Sequence, residues 1–217
     1  EPAVRLYLNR DILSDGMPLR VMHAVTGSAT AGEETLVIIM EHPDGSTTYL
    51  PSGTETYASR HYAPFPPTFE TILDETIDSG WDDGTYVIRS MLYNSTDALA
   101  AQDIAMFTVS RQGGTLSLSF PPGITNGMAS SSRIWLIDAV SLATVAEQET
   151  GTLHDEVAFS VPAGTYWYGG QMTTESGELM IIPVDPANRA TISPGENLRR
   201  QVVVQPAAGP TLAEVIA

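Results

Sequence analysis

Cysteine and lysine are both absent from this 217-residue chain. Without cysteine the chain can form no disulfide, has no thiolate nucleophile and cannot hold zinc or a c-type haem through sulfur. Long apolar runs are missing as well, because no segment approaches the roughly 18 apolar residues that a transmembrane helix needs. These absences exclude thiol chemistry and predict a chain that is not inserted in a membrane.

Positive charge is scarce. Ten Arg stand against 26 acidic residues, which gives a net charge of −16. Such a surface repels the phosphates of nucleic acids and anionic lipid heads, so neither is an expected partner. Two explanations stay open: a GC-biased genome encoding a soluble exported protein, or adaptation to high salt, which screens carboxylate repulsion. Residues 1–110 carry 16 acidic residues and 5 Arg, and residues 111–217 carry 10 and 5, which favours two units.

The first ten residues, "EPAVRLYLNR", have neither the basic start nor the apolar core of a signal peptide. A mature form would begin in this way, and we expect an exported protein whose signal peptide has been removed. Its expected location is extracellular or at the cell surface.

Apolar residues follow the strand pattern almost throughout. Leu116, Leu118 and Phe120 alternate with polar residues, and turn residues recur about every ten positions. In "HPDGS", proline, aspartate and glycine at positions 43–45 predict a tight hairpin. "RHYAPFPPTFE" is too proline-rich for a central strand and is interpreted as an edge or crossing loop. The sequence predicts an all-β chain.

One short motif occurs twice, as "DDGTYVIRS" and "PAGTYWYGG", with Gly84 and Gly164 lying 80 positions apart. In immunoglobulin-like sandwiches a tyrosine near the start of a late strand bonds back to the corner that precedes it. Two such motifs predict two tandem antiparallel β-sandwiches. We assign residues 1–110 and 111–206 to them, place a linker at Ser110 to Gly114, and treat 207–217 as a proline-rich spacer with an apolar tail.

The first half, with "HPDGS" and Asp82-x-Gly84-x-Tyr86, resembles a bacterial extracellular immunoglobulin-like module. The second half, with "FSVPAGTYWYGG" and "ATISPGE", is similar to carboxypeptidase-regulatory-like and transthyretin-like sandwich domains. These resemblances imply exported, mostly non-catalytic domains of surface proteins and secreted assemblies.

Catalytic motifs are not found. The four histidines lack metalloprotease spacing, and there is no Gly-x-Ser-x-Gly elbow or phosphate loop. His23 shares its strand phase with core residues, and His42 is expected to face solvent. The sequence therefore does not indicate an enzyme.

The acidic stretch "LDETIDSGWDD" offers two interpretations, a solvated loop or a calcium site. Asp78, Asp82 and Asp83 are the calcium candidates, although the EF-hand spacing is absent. No other metal or cofactor is expected.

Aromatic residues are the candidates for ligand contact, with core packing as the competing interpretation. On "TYWYGG", Trp167 points away from the face shared by Tyr166 and Tyr168, so if the tyrosine face is core, Trp167 is partly exposed. The candidate binding residues are Trp81, Trp167, Tyr168, Tyr62 and Phe65.

The leading interpretation is a non-catalytic structural or interaction subunit of an extracellular or cell-surface assembly, whose partners are other protein subunits. Contacts would run through sheet edges, the proline-rich segment and the tail. The alternative is a carbohydrate-binding accessory module of a secreted protein, with a glycan as its ligand.

Overall fold

The computed structural model describes residues 2–27, 34–51, 60–62, 67–121, 129–150, 156–174 and 177–207. The chain divides into two compact units, Glu1–Arg111 (unit 1) and Gln112–Ala217 (unit 2). Every regular element in the described ranges is a strand, apart from one 3-10 turn at Pro186–Asn188. The predicted all-β class is confirmed. In these ranges no helix has the length and apolarity to cross a bilayer.

Unit 1 is a sandwich of a three-stranded and a six-stranded sheet. Its strands are β1 Ala3–Leu8, β2 Ile12–Leu13, β3 Pro18–Thr26, β4 Glu34–Glu41, β5 Thr47–Tyr49, β6 Arg60–Tyr62, β7 Thr68–Thr76, β8 Gly84–Tyr93 and β9 Leu99–Val109. The small sheet has the order β1-β3-β7, and the large one has β2-β9-β8-β4-β5 with β6 also paired to β4. Pairing is antiparallel except between the short β2 and β9.

Unit 2 repeats this architecture with a three-stranded and a six-stranded sheet. Its strands are β10 Gly114–Ser119, β11 Ala129–Asp138, β12 Thr144–Thr150, β13 Glu156–Val161, β14 Gly164–Thr174, β15 Leu179–Ile182, β16 Arg189–Ile192, β17 Asn197–Gln201 and β18 Gln205–Pro206. The small sheet has the order β13-β10-β17, and the large one has β12-β11-β14-β15-β18 with β16 also paired to β14. The β10–β17 pair is parallel.

Each unit has its own apolar core between its two sheets. In unit 1, Val21 of the small sheet packs in one cluster with Ile88 and Phe107 of the large sheet. In unit 2, Leu116 of the small sheet shares a cluster with Ile134 of the large sheet. The two tandem sandwiches predicted from the repeated motif are therefore present.

The repeated Gly-Thr-Tyr motif forms a corner in each unit. The Asp82 N–H donates to the Tyr86 hydroxyl oxygen at 3.0 Å, and that hydroxyl lies 3.2 Å from the Asp82 carbonyl oxygen. In unit 2 the Tyr166 hydroxyl donates to the Pro162 carbonyl at 2.7 Å. Both rings are buried, so each tyrosine ties the start of its strand to the turn four residues earlier. The predicted hydroxyl bonds are confirmed, and they mark both units as immunoglobulin-like.

The "HPDGS" hairpin is also confirmed, because β4 and β5 pair across it. The His42 N–H donates to the Ser46 carbonyl at 2.8 Å, and Gly45 has the positive φ of 83° that the turn needs.

Strand β7 is the main element that the sequence did not reveal. Part of it, Thr68 to Glu70, falls in the stretch interpreted as an edge or crossing loop; β7 is the edge strand of the small sheet and pairs with β3 over its length. A register shift opposite Val21 and Met22 places the consecutive residues Ile72 and Leu73 both in the core. This bulge breaks the period-two alternation on which strand prediction depends.

Candidate functional site

Trp81 lies at the corner of unit 1 and packs against its core. Its ring centroid is 5.2 Å from that of Tyr86 and 6.0 Å from that of Phe107. Beside it lies a cleft of about 180 Å³, which Met40, His42 and Tyr86 also line. Sites for small molecules are commonly 300 Å³ or larger, so this cleft is small for a ligand and Trp81 serves mainly in core packing. Burial raises the pKa of Tyr86 above its usual range.

The side chain of Arg111 organises the acidic loop. Arg111 forms ion pairs with Asp15 at 3.0 Å and Asp83 at 2.7 Å. It also donates to the backbone carbonyls of Asp78 and Trp81, at 2.7 and 3.0 Å. The Asp78 carboxylate accepts from the Gly80 N–H within its own turn. One guanidinium therefore neutralises part of the loop and fixes its shape.

The calcium candidates do not converge. In the part of the chain that the structure describes, no three His, Asp or Glu side chains form a group suited to a metal ion. Asp82 holds Tyr86 through its backbone, and Asp83 is paired with Arg111. Asp78, Asp82 and Asp83 are all exposed, which favours the interpretation of the stretch as a solvated loop.

His23 and His42 both have structural contacts. His23 is fully buried, with its Nε2 2.8 Å from the Ser90 hydroxyl; the expectation of a core histidine is confirmed. His42 was expected to face solvent, but it is half-buried, with Nε2 2.7 Å from Thr48 Oγ1 and its ring edge-on to Tyr86. That expectation was wrong because the hairpin folds the imidazole back over the corner.

Tyr168 is a core residue and not a ligand-binding one. Its side chain is 1% exposed and its hydroxyl donates to the Ala187 carbonyl at 3.4 Å. Burial raises the pKa of its phenol. The choice of Tyr168 as a binding residue was wrong, because Tyr166 and Tyr168 together form the inner face of β14.

Trp167 lies on the opposite, half-buried face of β14, as the alternation requires. The Arg189 guanidinium carbon lies 5.3 Å from the centroid of the Trp167 ring. Arg189 is the cross-strand neighbour of Trp167 on β16. A cation–π contact therefore already engages this indole.

Trp135 was not among the candidates chosen from the sequence, although it lies on the same face of the sheet as Trp167. It pairs with Gly169, while its neighbour Ile137 pairs with Trp167. A Cβ atom at Gly169 would lie 2.8 Å from the Trp135 Nε1 and 2.7 Å from Val184, so glycine leaves space for the indole. The sequence pattern that could have placed Trp135 on this surface is "SRIWLID", in which Trp135 alternates with the buried Ile134 and Leu136.

The remaining binding candidates lie outside the described side chains. Tyr62 ends β6, but only its backbone is described. Phe65 and the tail from residue 208 onward lie outside the described residues altogether.

The largest feature that the sequence analysis missed is an apolar surface on unit 1. Along β4, β8 and β9 inward and outward side chains alternate. Val37 pairs with Met91, and Val87 pairs with Met106, so that their side chains form adjacent rows on the outside of the large sheet. Ile104 and Met106 on β9 are 45% and 60% exposed. We call this surface the outer face; it is defined by Val37, Ile39, Val87, Met91, Ile104 and Met106.

Charge is sparse on the outer face. Arg89 lies between Ile39 and Ile104 in the strand register. Its guanidinium is 3.7 Å from the carboxylate of Glu41. One cation and one anion thus sit next to each other on an otherwise uncharged part of a strongly acidic unit.

No family model and no curated protein matches this chain. Among solved structures, the major pilin subunit BcpA of Bacillus cereus is 12% identical with a TM-score of 0.30, over 93% of this chain and 70% of that one. The pilus 2b backbone protein of group B streptococcus is 11% identical with a TM-score of 0.27, over 78% and 83%. A tetra-tandem repeat of a large adhesion protein is 10% identical with a TM-score of 0.33, over 82% and 47%. Scores of this size do not establish a shared fold, and the fold class rests on the strand pairing described above.

Proposed function

We propose that this chain is a non-catalytic structural subunit of a cell-surface or extracellular assembly, and that it works through protein–protein contacts. The observation that carries the proposal is the outer face of unit 1, a sheet surface of neighbouring apolar side chains on an acidic protein. Exposed apolar patches of this kind on soluble proteins mark interaction surfaces.

The glycan alternative has little support from the aromatic residues. Tyr168 is buried, Trp81 packs on the core, and the Trp167 ring is in contact with Arg189. Stacking on a sugar requires an open ring face, whereas these rings are buried, packed on the core or in contact with a cation on one side. We therefore do not propose a carbohydrate-binding function.

Several finer features belong to the proposal. Residues 1–110 and 111–206 would each fold as an independent domain, the second of the regulatory-like or transthyretin-like type. The chain would be exported by a bacterium, and residues 207–217 would act as a spacer and tail. The absence of cysteine and the acidic composition agree with an exported protein that needs no disulfide for stability.

The native mass of the particle that contains this chain tests the proposal. The particle should be isolated from its own source without a dissociating step and measured by sedimentation or light scattering. An assembly subunit predicts a mass several times that of one 23.2 kDa chain. A particle of one chain, at the concentration found in the source, would contradict the proposal.

A further inference from the structure

The strand sequences of unit 1 indicate that the outer face is buried against another protein surface. Strands that are buried on one side alternate apolar and polar residues, whereas strands buried on both sides carry continuous apolar runs. Strand β4 contains the uninterrupted run "LVIIM", of which Leu36, Ile38 and Met40 are buried in the core. Val37 and Ile39 point outward and are only half-buried. The second side of β4 therefore has the composition of an interface.

The charge distribution selects the partner. Residues 1–110 carry 16 acidic residues against 5 Arg, so two copies repel each other over most of this surface. A basic partner would be drawn to the carboxylates and away from the outer face. The outer face contributes no net charge, since Arg89 lies beside Glu41. Two copies can therefore bring their outer faces together without electrostatic repulsion between these faces.

We propose that the outer face pairs with the outer face of a second copy of this chain, in a two-fold symmetric dimer. An isologous contact requires a self-complementary surface, and a neutral apolar sheet face meets that requirement. This inference rests on the proposed function and names one of the contacts that would build the assembly.

The size of the face sets the expected strength of the contact. Three strands about 4.8 Å apart and roughly seven residues long give a face of about 14 by 24 Å, so a pair buries on the order of 700 Å² in total. That area is below the standard size of stable interfaces and falls in the range of weak, transient contacts. The dimer is therefore weak and reversible, and it would be strengthened by further contacts in an assembly.

Sedimentation velocity of the full chain tests the pairing, with Met106→Glu as the disrupting variant. The matched control is Phe69→Glu, because Phe69 is 61% exposed on the three-stranded sheet of the same unit. Both changes remove an exposed apolar side chain and add one charge to the same unit. Ile104→Glu serves as a second disrupting variant, and circular dichroism verifies that all variants are folded.

The wild-type chain and Phe69→Glu should both self-associate between about 1 and 300 µM, and screening by salt should strengthen that association. Met106→Glu and Ile104→Glu should weaken it at least tenfold. A wild-type chain that stays monomeric at every concentration and salt level would overturn the pairing, as would equal loss of association in Phe69→Glu. If the chain is monomeric but the native particle is large, the pairing fails while the proposed function stands.

Discussion

The hydroxyl groups of Tyr86 and Tyr166 are the contacts that close the corners of the two units. Each joins a buried ring to a backbone group four residues upstream. We expect Tyr86→Phe and Tyr166→Phe each to lower the free energy of unfolding by about 1 to 2 kcal/mol, because a backbone group at the corner loses its partner. Urea unfolding followed by tryptophan fluorescence measures this.

Tyr7→Phe is the matched control for the corner variants. Tyr7 is 51% exposed on β1, so removing its hydroxyl should change stability by less than about 0.5 kcal/mol. If Tyr86→Phe were as stable as Tyr7→Phe, the corner bond would contribute nothing and the repeated motif would need another explanation.

At the level of elements, the start of β8 is held against the β4–β5 hairpin through Gly84. This glycine has a φ of +141°, and a Cβ atom there would lie 2.6 Å from the Pro43 Cβ. We expect Gly84→Ala to destabilise unit 1 by more than about 2 kcal/mol, because it combines a disfavoured backbone conformation with a clash.

Gly45→Ala separates these two contributions. Gly45 also has a positive φ, of 83°, but a Cβ atom there meets nothing within 4 Å. Its cost should be limited to the backbone term of about 1 kcal/mol. Equal losses of stability in the two variants, measured by thermal unfolding, would show that the Pro43 contact is unimportant.

Most of the fold could be predicted from turns and alternation, and the exceptions have local causes. The bulge in β7 conceals a strand because Ile72 and Leu73 are buried consecutively. The candidate binding residues were harder to predict, because neighbouring aromatic residues on one strand lie alternately in the core and on the surface. Tyr168 and Trp167 are adjacent in sequence but lie on opposite faces of β14. The outer face was missed because it is composed of residues on three strands that only the register brings together.

For the whole molecule, the excess of acidic residues predicts a stability that rises with salt. A net charge of −16 disfavours the compact state through self-repulsion, which salt screens. Exposed ion pairs such as Arg20–Asp74, at 2.8 Å, oppose this trend only weakly. The urea midpoint should therefore increase when NaCl is raised from about 0.05 to 1 M.

The choice of salt matters for this measurement. Sulfate and sucrose both strengthen apolar burial whatever the charge of the protein, so the measurement should use NaCl, which acts mainly by screening charge. A midpoint that does not change with NaCl, or that falls, would show that self-repulsion is not a significant term for this chain.

The central claim is that exposed sheet surfaces, and not a pocket, carry the function. Limited peroxide oxidation of methionines, read by mass spectrometry in the free chain and in the native particle, tests it most directly. Met40 and Met172 are buried in the two cores and should be protected in both states. Met22 is half-buried on β3 of the small sheet and should be oxidised equally in both. The account predicts that Met106, 60% exposed in the free chain, becomes protected in the particle, and unchanged oxidation of Met106 would contradict it.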